Sequence, residues 1–197
     1  MMTCTHDGVR LAPKLTDRER RLAFGFLFTM PGAPFLYYGD EIGMRYLNVP
    51  TKEGGYHRTG SRTPMQWNGQ KNLGFSTAEA KHLYLPVDGA MDAPTVEIQE
   101  QNPDSLLNYV KALTGLRHQY EALQNDSPFA VFSAEPGSRL FAYKRADMLV
   151  AINPDGAAAQ LGLDGQYRVA FCLGQAEVQE NQLTLGPQSF AVMAPAD

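Results

Sequence analysis

The last third of the sequence is a series of short runs in which apolar and polar residues alternate, and turn signals separate the runs. Asp155-Gly156 and Asp164-Gly165 mark two of the turns, because aspartate and glycine tolerate the positive φ that tight turns require. Many short strands at close spacing are typical of an antiparallel β-sandwich. We therefore predict strands at 129–133, 139–144, 148–153, 158–163, 167–173, 176–179, 182–185 and 189–193.

The first 125 residues have a different character, with helical segments separated by loops. Thr16 and Glu19 form a capping box, in which each side chain satisfies the backbone amide of the other residue at the start of a helix. The apolar run at 22–28 that follows must be covered by protein on most of its surface. Pro31 is predicted to end this helix.

Three further segments of this region carry structural signals. The apolar, aromatic run at 33–38 predicts a buried strand of the parallel type, and a helix followed by such a strand is half of a βαβ unit. Residues 43–101 are rich in Gly, Pro, Asn and Thr and are predicted to be a long irregular excursion. A second helix is predicted to begin at Asn102 with Pro103 in its first position, and its apolar residues share one face.

Composition excludes several classes of protein. The 17 basic and 21 acidic residues give a net charge of −4, and aromatic residues make up 10%, so we expect neither a disordered chain nor a nucleic-acid partner. The longest apolar run is too short to cross a bilayer, and no membrane partner is predicted. No signal peptide is visible, and Cys4 and Cys172 have no metal-ligand spacing, so a cytoplasmic location is expected. The alternative is that an N-terminal signal lies upstream of Met1.

Two polar pairs, His6-Asp7 and Asp40-Glu41, follow predicted strand ends. Ligands gather at the carboxyl ends of parallel strands, so both pairs would meet at one face of such a fold. The alternative is that Asp40 or Glu41 caps the next turn and that His6-Asp7 is a frayed polar terminus. The pattern alone favours this alternative, since neither pair is a specific motif.

Longer motifs carry a family resemblance. Residues 31–44 (PGAPFLYYGDEIGM) resemble the last barrel strand and following loop of the α-amylase family of glycoside hydrolases, in the branch that contains oligo-α-glucosidases and trehalose synthases. Residues 61–67 (SRTPMQW) are similar to a second motif of that branch, and 72–76 (NLGFS) to the segment after it. Residues 83–87 (LYLPV) resemble the trehalose-synthase group, and 102–108 (NPDSLLN) resemble the start of the last barrel helix.

The resemblance implies a fold of class α/β plus all-β. The last strands and helices of a (β/α)₈ barrel would occupy residues 1–125, and an antiparallel β-sandwich would follow over residues 126–197. It also implies an α-glucoside or α-glucan oligosaccharide as the ligand, with no cofactor and no metal. Trp67 could stack on a sugar, although packing inside its loop is the expected role.

The resemblance also implies site residues. The typical Asn-His-Asp motif of the family is matched by Thr5-His6-Asp7, in which Thr5 departs from the commonest form. Asp7 would then be the catalytic carboxylate that stabilises an oxocarbenium-like transition state, and His6 would bind hydroxyls of the same glucosyl ring. Arg62 matches an arginine that holds an outer hydroxyl of that glucose, a task suited to the fixed fork of a guanidinium. The alternative for Arg62 is an ion pair with a carboxylate at 40–41.

Retaining glycosidases need two carboxyl groups, a nucleophile and a general acid, and in this family they come from the fourth and fifth barrel strands. By resemblance this chain starts in the seventh, so we expect a C-terminal portion of a retaining glycosidase or glucosyl isomerase that lacks both groups and is inactive alone. The alternative is a non-catalytic carbohydrate-binding or assembly module. Phe24, Phe26 and Phe28 would lack covering strands, which predicts binding to the remainder of the barrel or self-association through exposed apolar surface.

Overall fold

A computed structural model describes residues 2–51 and 58–196 of the chain. The residues group into two compact units. The loop unit contains the residues up to Arg20 together with Pro34–Ala112, and the sheet unit contains Arg21–Ala33 and the residues from Leu113 onward. His57, predicted to be an ordinary surface or core histidine, lies outside the described residues.

Within the described residues there are three α-helices: α1 at Asp17–Thr29, α2 at Val96–Gln101 and α3 at Leu106–Gln119. The predicted capping box begins α1, since the Glu19 amide donates to Thr16 Oγ1 over 3.3 Å and the Thr16 amide donates to the Glu19 carboxylate over 2.8 Å. α2 lies in the stretch predicted to be irregular. Among residues 2–51 and 58–196, no helix is long and apolar enough to cross a membrane. Short 3₁₀ turns lie at Asp40–Ile42, Thr59–Ser61, Lys71–Gly74, Ala80–His82 and Glu121–Leu123.

The start of α3 differs from the prediction. Asn102 does not begin a helix, because its Oδ1 accepts a hydrogen bond from the Asp104 amide over 3.0 Å and closes a turn instead. The capping role falls to Ser105, whose Oγ accepts from the Asn108 amide over 3.1 Å. The predicted apolar face of the helix is confirmed, with buried residues at Leu106, Tyr109, Val110, Leu113 and Leu116.

The predicted strand at 33–38 is reduced to one parallel bridge, between Met2 and Phe35. The Thr3 amide donates to the Phe35 carbonyl over 3.1 Å. Phe35 is 63% exposed, so the prediction of a buried strand is wrong for this chain. A buried parallel strand needs hydrogen-bonded neighbours on both sides, and the described residues supply a single bridged neighbour.

The sheet unit contains two antiparallel sheets. One has the strand order β1-β2-β3-β8-β5 and the other has the order β4-β7-β6, and every strand pair is antiparallel. The predicted strands are all confirmed, with changes only at their ends. Their bounds are β1 Phe129–Ser133, β2 Phe141–Arg145, β3 Met148–Asn153, β4 Ala159–Gly162, β5 Tyr167–Leu173, β6 Ala176–Gln179, β7 Gln182–Leu185 and β8 Ser189–Pro195.

Side chains from both sheets form one buried apolar cluster. Leu149 on β3 and Met193 on β8 belong to it from the larger sheet, and Leu161 on β4 and Leu183 on β7 belong to it from the smaller one. A core filled from the inner faces of two antiparallel sheets is the arrangement of a β-sandwich. The predicted sandwich is therefore confirmed.

The three phenylalanines of α1 are covered within this chain. Phe24 is fully buried and Phe28 is 5% exposed. The ring of Phe26 packs edge-on against Phe141 and Tyr143, with centroid distances of 6.4 and 6.2 Å. The prediction that these phenylalanines form an exposed patch is wrong, because Phe24 and Phe28 are buried and Phe26 packs against two rings of the sheet unit.

Two buried arginines hold the C-terminal end of α1. Arg117 donates to the carbonyls of Phe28 over 2.6 Å and of Met30 over 3.1 Å, and Arg145 donates to the Thr29 carbonyl over 2.5 Å. The last carbonyls of a helix lack partners within the helix, and the last turn of α1 contains no basic residue. The two arginines supply both the missing donors and positive charge at the negative end of the helix dipole.

Candidate active site

The predicted site residues follow the parallel bridge in the loop unit. Just after the bridge, the Tyr37 amide donates a hydrogen bond of 3.1 Å to Thr3 Oγ1, which connects the two bridged segments a second time. Since the two segments run in the same direction, residues 6–7 and 40–41 both come after the bridge on their own segment. Both polar pairs therefore lie on the carboxyl-terminal side of the bridge, although the two bridged segments form no strand.

Asp7 is the centre of a cluster of polar contacts. Its Oδ1 accepts hydrogen bonds from Arg62 Nη2 over 2.8 Å and from Arg58 Nη1 over 3.0 Å. Nε2 of His6 lies 3.2 Å from Oδ2 of Asp7. Arg62 Nε also donates to the backbone carbonyl of His6 over 2.8 Å. The structure brings the three predicted site residues together and adds Arg58, which sequence reasoning does not identify.

The surroundings of Asp7 favour its ionised form. Desolvation opposes ionisation, but the hydrogen bond from Arg58, the charge of His6 and the hydrogen bond from Arg62 outweigh it and lower the pKa of Asp7 below its ordinary value. The Asp7 amide donates to Thr5 Oγ1 over 3.2 Å, which fixes the backbone at this residue. The Asp7 side chain is 52% exposed. It is therefore a fixed negative charge that a ligand can reach, suited to stabilising positive charge.

Arg10 connects the three segments that carry the site. Its buried guanidinium donates to the Tyr38 carbonyl over 2.6 Å and to Asp40 Oδ1 over 3.3 Å. Its other terminal nitrogen donates to the Ser61 carbonyl over 2.9 Å, and the ring of Tyr38 lies 4.9 Å from its Cζ. Charge-assisted hydrogen bonds of this kind are strong and directional, so Arg10 fixes the spacing of the segments.

The two arginines that reach Asp7 flank the turn Thr59–Ser61. Gly60 is required in this turn, because a Cβ there would lie 1.8 Å from the carbonyl oxygen of Leu47. Ser61 Oγ donates to the Arg58 carbonyl over 2.7 Å and tightens the turn. The backbone of the turn is thus fixed by local contacts before either guanidinium contacts the carboxylate.

Asp40 and Glu41 do not have the capping role that the pattern favoured. The 3₁₀ turn at Asp40–Ile42 has Gly39 at its N-cap, with no side-chain capping bond. Asp40 forms its ion pair with Arg10, whereas Arg62 forms one with Asp7. The alternative for Arg62, an ion pair with a carboxylate at 40–41, therefore gains no support from these contacts. Burial raises the pKa of both carboxyl groups above their ordinary values, although the charge of Arg10 opposes the shift.

An aromatic groove of about 550 Å³ borders Arg62. Trp67, Phe75 and Tyr84 line it, and 49%, 50% and 60% of their surfaces are exposed. The expectation that Trp67 packs inside its loop is wrong. Its backbone is fixed, since the Trp67 amide donates to the Leu73 carbonyl over 2.8 Å and the Trp67 carbonyl accepts from the Glu97 amide over 2.9 Å. Grooves lined by apolar and aromatic side chains with a few polar groups are typical of small-molecule sites.

The described ranges contain no group of three or more His, Cys, Asp or Glu side chains that could hold a metal ion. Two residues of the site, Arg10 and Arg58, are not identified by sequence reasoning. The available signal for Arg58 is its spacing, four residues before Arg62 in one short loop. No such signal exists for Arg10, because its importance depends on contacts with segments 28 to 51 positions away.

Comparison with known proteins relates these features to a family. The model of the alpha amylase catalytic domain matches residues 1–126. The trehalose synthase/amylase TreS of Mycobacterium tuberculosis is 40% identical over 123 residues, which cover 57% of this chain and 19% of TreS. The probable oligo-1,6-glucosidase 2 of Bacillus subtilis is 30% identical over 188 residues, which cover 76% of this chain and 33% of that protein.

Among solved structures, trehalulose synthase MutB in complex with Tris matches with a TM-score of 0.78 and 19% identity, over 98% of this chain and 42% of MutB. This likeness shows a shared fold. The chain spans about a fifth to a third of the length of the two curated relatives. The catalytic-domain model covers more than half of the chain, in agreement with the resemblance that its motifs carry. The chain therefore belongs to the α-amylase family.

Proposed function

We propose that this chain is the C-terminal portion of a retaining glycosidase or glucosyl isomerase that acts on α-glucosides or α-glucan oligosaccharides. One observation carries the proposal: Arg62, 55 positions away in sequence, contacts Asp7, which also contacts His6. In a member of the α-amylase family, such a cluster has the parts needed to bind a glucosyl ring and to stabilise an oxocarbenium-like transition state.

Asp7 is the proposed catalytic residue. As a glycosidic bond breaks, positive charge develops on the sugar ring, and a fixed carboxylate stabilises that state more than it stabilises the substrate. His6 and Arg62 are the proposed sugar-binding residues, because their N–H groups donate to hydroxyls. Arg62 is oriented by its bonds to Asp7 and to the His6 carbonyl, so binding a sugar costs it little further conformational entropy.

The rest of the machinery is proposed to lie in other parts of a longer protein. A retaining mechanism requires a nucleophile and a general acid, which we assign to barrel strands outside this chain. Residues 1–125 would supply the last strands and helices of a (β/α)₈ barrel, and residues 126–197 would supply its C-terminal sandwich. Phe35, exposed beside a single bridge, would be covered by further strands, so the remainder of the barrel is the proposed partner.

A second candidate function is a non-catalytic carbohydrate-binding or assembly module. The aromatic groove favours it, because half-exposed rings such as Trp67 and Tyr84 can bind a sugar without any reaction at Asp7. The two candidates differ in one observable property. Only the first requires Asp7 for turnover once the missing carboxyl groups are supplied.

The test uses the purified chain and a hybrid enzyme, in which the chain is fused behind the part of the Bacillus subtilis relative that precedes the matching region. We expect no turnover of an aryl α-glucoside by the chain alone and measurable turnover by the hybrid. Turnover by the chain alone would refute the assignment of the nucleophile and acid to other strands. A folded hybrid that binds the glucoside without turning it over would favour the second candidate.

The matched control is Asp126→Asn, which removes an exposed carboxylate of the sheet unit. Asp7→Asn is expected to abolish most turnover in the hybrid, and Asp126→Asn is expected to leave it unchanged. Equal losses in the two variants would indicate a general effect on folding, and circular dichroism of both proteins would detect that effect.

A further inference from the structure

Two arginines donate to the same oxygen of Asp7. Arg58 Nη1 and Arg62 Nη2 lie 3.0 and 2.8 Å from Oδ1. The second oxygen, Oδ2, lies 3.2 Å from His6 Nε2. The two oxygens of the carboxylate therefore have different surroundings, one held by guanidinium groups and the other next to an imidazole.

Arg58 and Arg62 differ in what else they contact. Arg62 also donates to the His6 carbonyl and lines the aromatic groove. Arg58 is not among the residues that line that groove. Its backbone carbonyl accepts from the Ser61 amide over 3.2 Å and from Ser61 Oγ over 2.7 Å. The Ser61 carbonyl in turn accepts from Arg10, so the backbone of Arg58 is anchored to the buried arginine.

We propose that Arg58 is a positioning residue of the α-glucoside site: it holds Oδ1 of Asp7 so that Oδ2 remains directed at the sugar. The inference rests on the proposed function of Asp7. When Arg62 donates to a sugar hydroxyl, its hydrogen bond to Asp7 would weaken. Arg58 keeps the carboxylate in place while Arg62 changes its hydrogen-bond partner, since the contact of Arg58 with Asp7 does not involve the sugar.

The charges around Asp7 agree with this role. Among the described residues, the charged and titratable groups that contact the carboxylate are His6, beside it in sequence, and Arg58 and Arg62, from the turn. The hydrogen bond from Arg58 is the largest of the contributions that lower the pKa of Asp7. Removing Arg58 should therefore make Asp7 both less fixed and easier to protonate.

The first experiment measures the carboxyl ¹³C shift of Asp7 against pH by NMR in this chain, which needs no activity. Three variants are compared with the unmodified chain: Arg58→Gln, Arg58→Lys and the control Arg139→Gln, which removes an exposed arginine of the sheet unit. We expect the pKa of Asp7 to rise in Arg58→Gln, to rise less in Arg58→Lys because the charge is kept, and to stay unchanged in the control. An unchanged titration of Asp7 in Arg58→Gln would overturn the proposal.

The second experiment measures kinetics in the hybrid enzyme. Arg58→Gln should lower kcat by roughly 2- to 5-fold, the range for a partly exposed ion pair, with KM nearly unchanged. The acid limb of the pH profile of kcat/KM should also move to higher pH. In Arg58→Lys, both the fall in kcat and this shift should be smaller. Arg62→Gln should instead raise KM.

The two proposals fail in different ways. If Asp7→Asn keeps full turnover in the hybrid, the proposed function is wrong. If Asp7→Asn is inactive while Arg58→Gln has the kcat and pH profile of the unmodified hybrid, only the positioning role of Arg58 is wrong.

Discussion

The sheet unit and the loop unit are stabilised by different means. In the sheet unit, apolar side chains from two sheets form one extensive buried cluster, and antiparallel ladders satisfy the backbone. Among the described residues of the loop unit, Ile42, Met44 and Leu107 form a small buried apolar cluster with two partly buried neighbours. Arginines connect its other segments, as in the buried contacts of Arg10 and the 2.8 Å ion pair of Arg45 with Asp88.

The difference predicts that pH acts more on the loop unit than on the apolar core of the sheet unit. Apolar burial involves no titratable group, whereas a carboxyl group with a shifted pKa links stability to pH. The lowered pKa of Asp7 adds stability above its ordinary pKa, and this is lost as pH falls through the folded value. The raised pKa of Asp40 has the opposite sign: its contribution is present below the ordinary pKa and is lost as pH rises through the folded value.

The largest expected effect is in the apolar cluster. Leu149→Ala removes a fully buried side chain of β3 and should cost about 3–5 kcal/mol of unfolding free energy, from lost burial and the cavity left behind. Hydrogen exchange of the β3 and β8 amides measures this loss, which should be the same at pH 5 and pH 8. Val131→Ala, at a position 57% exposed, is the control and should change little. If the unfolding free energy lost in Leu149→Ala depended strongly on pH, the contrast between the sheet unit and the loop unit would be wrong.

A smaller loss, dependent on pH, is expected in the loop unit. Arg10→Met leaves Asp40 buried without its cation and should cost about 3 kcal/mol at pH 8. The cost should be lower at pH 5, since Asp40 can bind a proton and so avoid burying a bare charge. Urea denaturation followed by the fluorescence of Trp67, the only tryptophan in the chain, reports on this unit. The control is Lys14→Met, which removes an exposed cation nearby in sequence. It should change the free energy of unfolding neither at pH 8 nor at pH 5.

Alanine substitutions at two helical glycines should have the smallest effects on stability. In α1, a Cβ at Gly25 would lie 3.0–3.1 Å from the ring of Phe190, so Gly25→Ala should destabilise the protein by about 1–3 kcal/mol. In α3, a Cβ at Gly115 would meet no atom within 4 Å, so Gly115→Ala should stabilise it by about 0.5–1 kcal/mol. Thermal unfolding of both variants measures the difference. A gain in stability for Gly25→Ala would show that the packing of α1 is looser than described.

The same contrast explains what could be predicted from the sequence. The sandwich strands are predictable because each one alternates in character and ends at a local turn signal, such as Asp164-Gly165. The capping box at Thr16 is equally local. The start of α3 is harder, because Asn102 and Ser105 both suit a cap, and only the turn that Asn102 forms with Asp104 decides between them.

Tertiary contacts decide what could not be predicted. α2 is held by distant segments, since the Val96 amide donates to the Gln66 carbonyl over 3.1 Å and Gln99 Nε2 donates to the Ile42 carbonyl over 2.7 Å. The clustering of His6, Asp7 and Arg62 came from family motifs and not from any local pattern. Arg58 and Arg10 act through contacts with residues more than 25 positions away. The sequence carries no local signal for the contacts of Arg10, and for Arg58 it offers only the spacing of four residues to Arg62.

The most direct test of the account is the steady-state kinetics of Asp7→Asn in the hybrid enzyme on a small α-glucoside. The account predicts that kcat falls by about 100-fold or more, as when other groups that stabilise transition-state charge are removed. KM should change less, because the charge of Asp7 acts mainly when positive charge develops on the sugar. If Asp7→Asn keeps the kcat of the unmodified hybrid, then the cluster of Asp7 with His6 and Arg62 is not the site of the reaction.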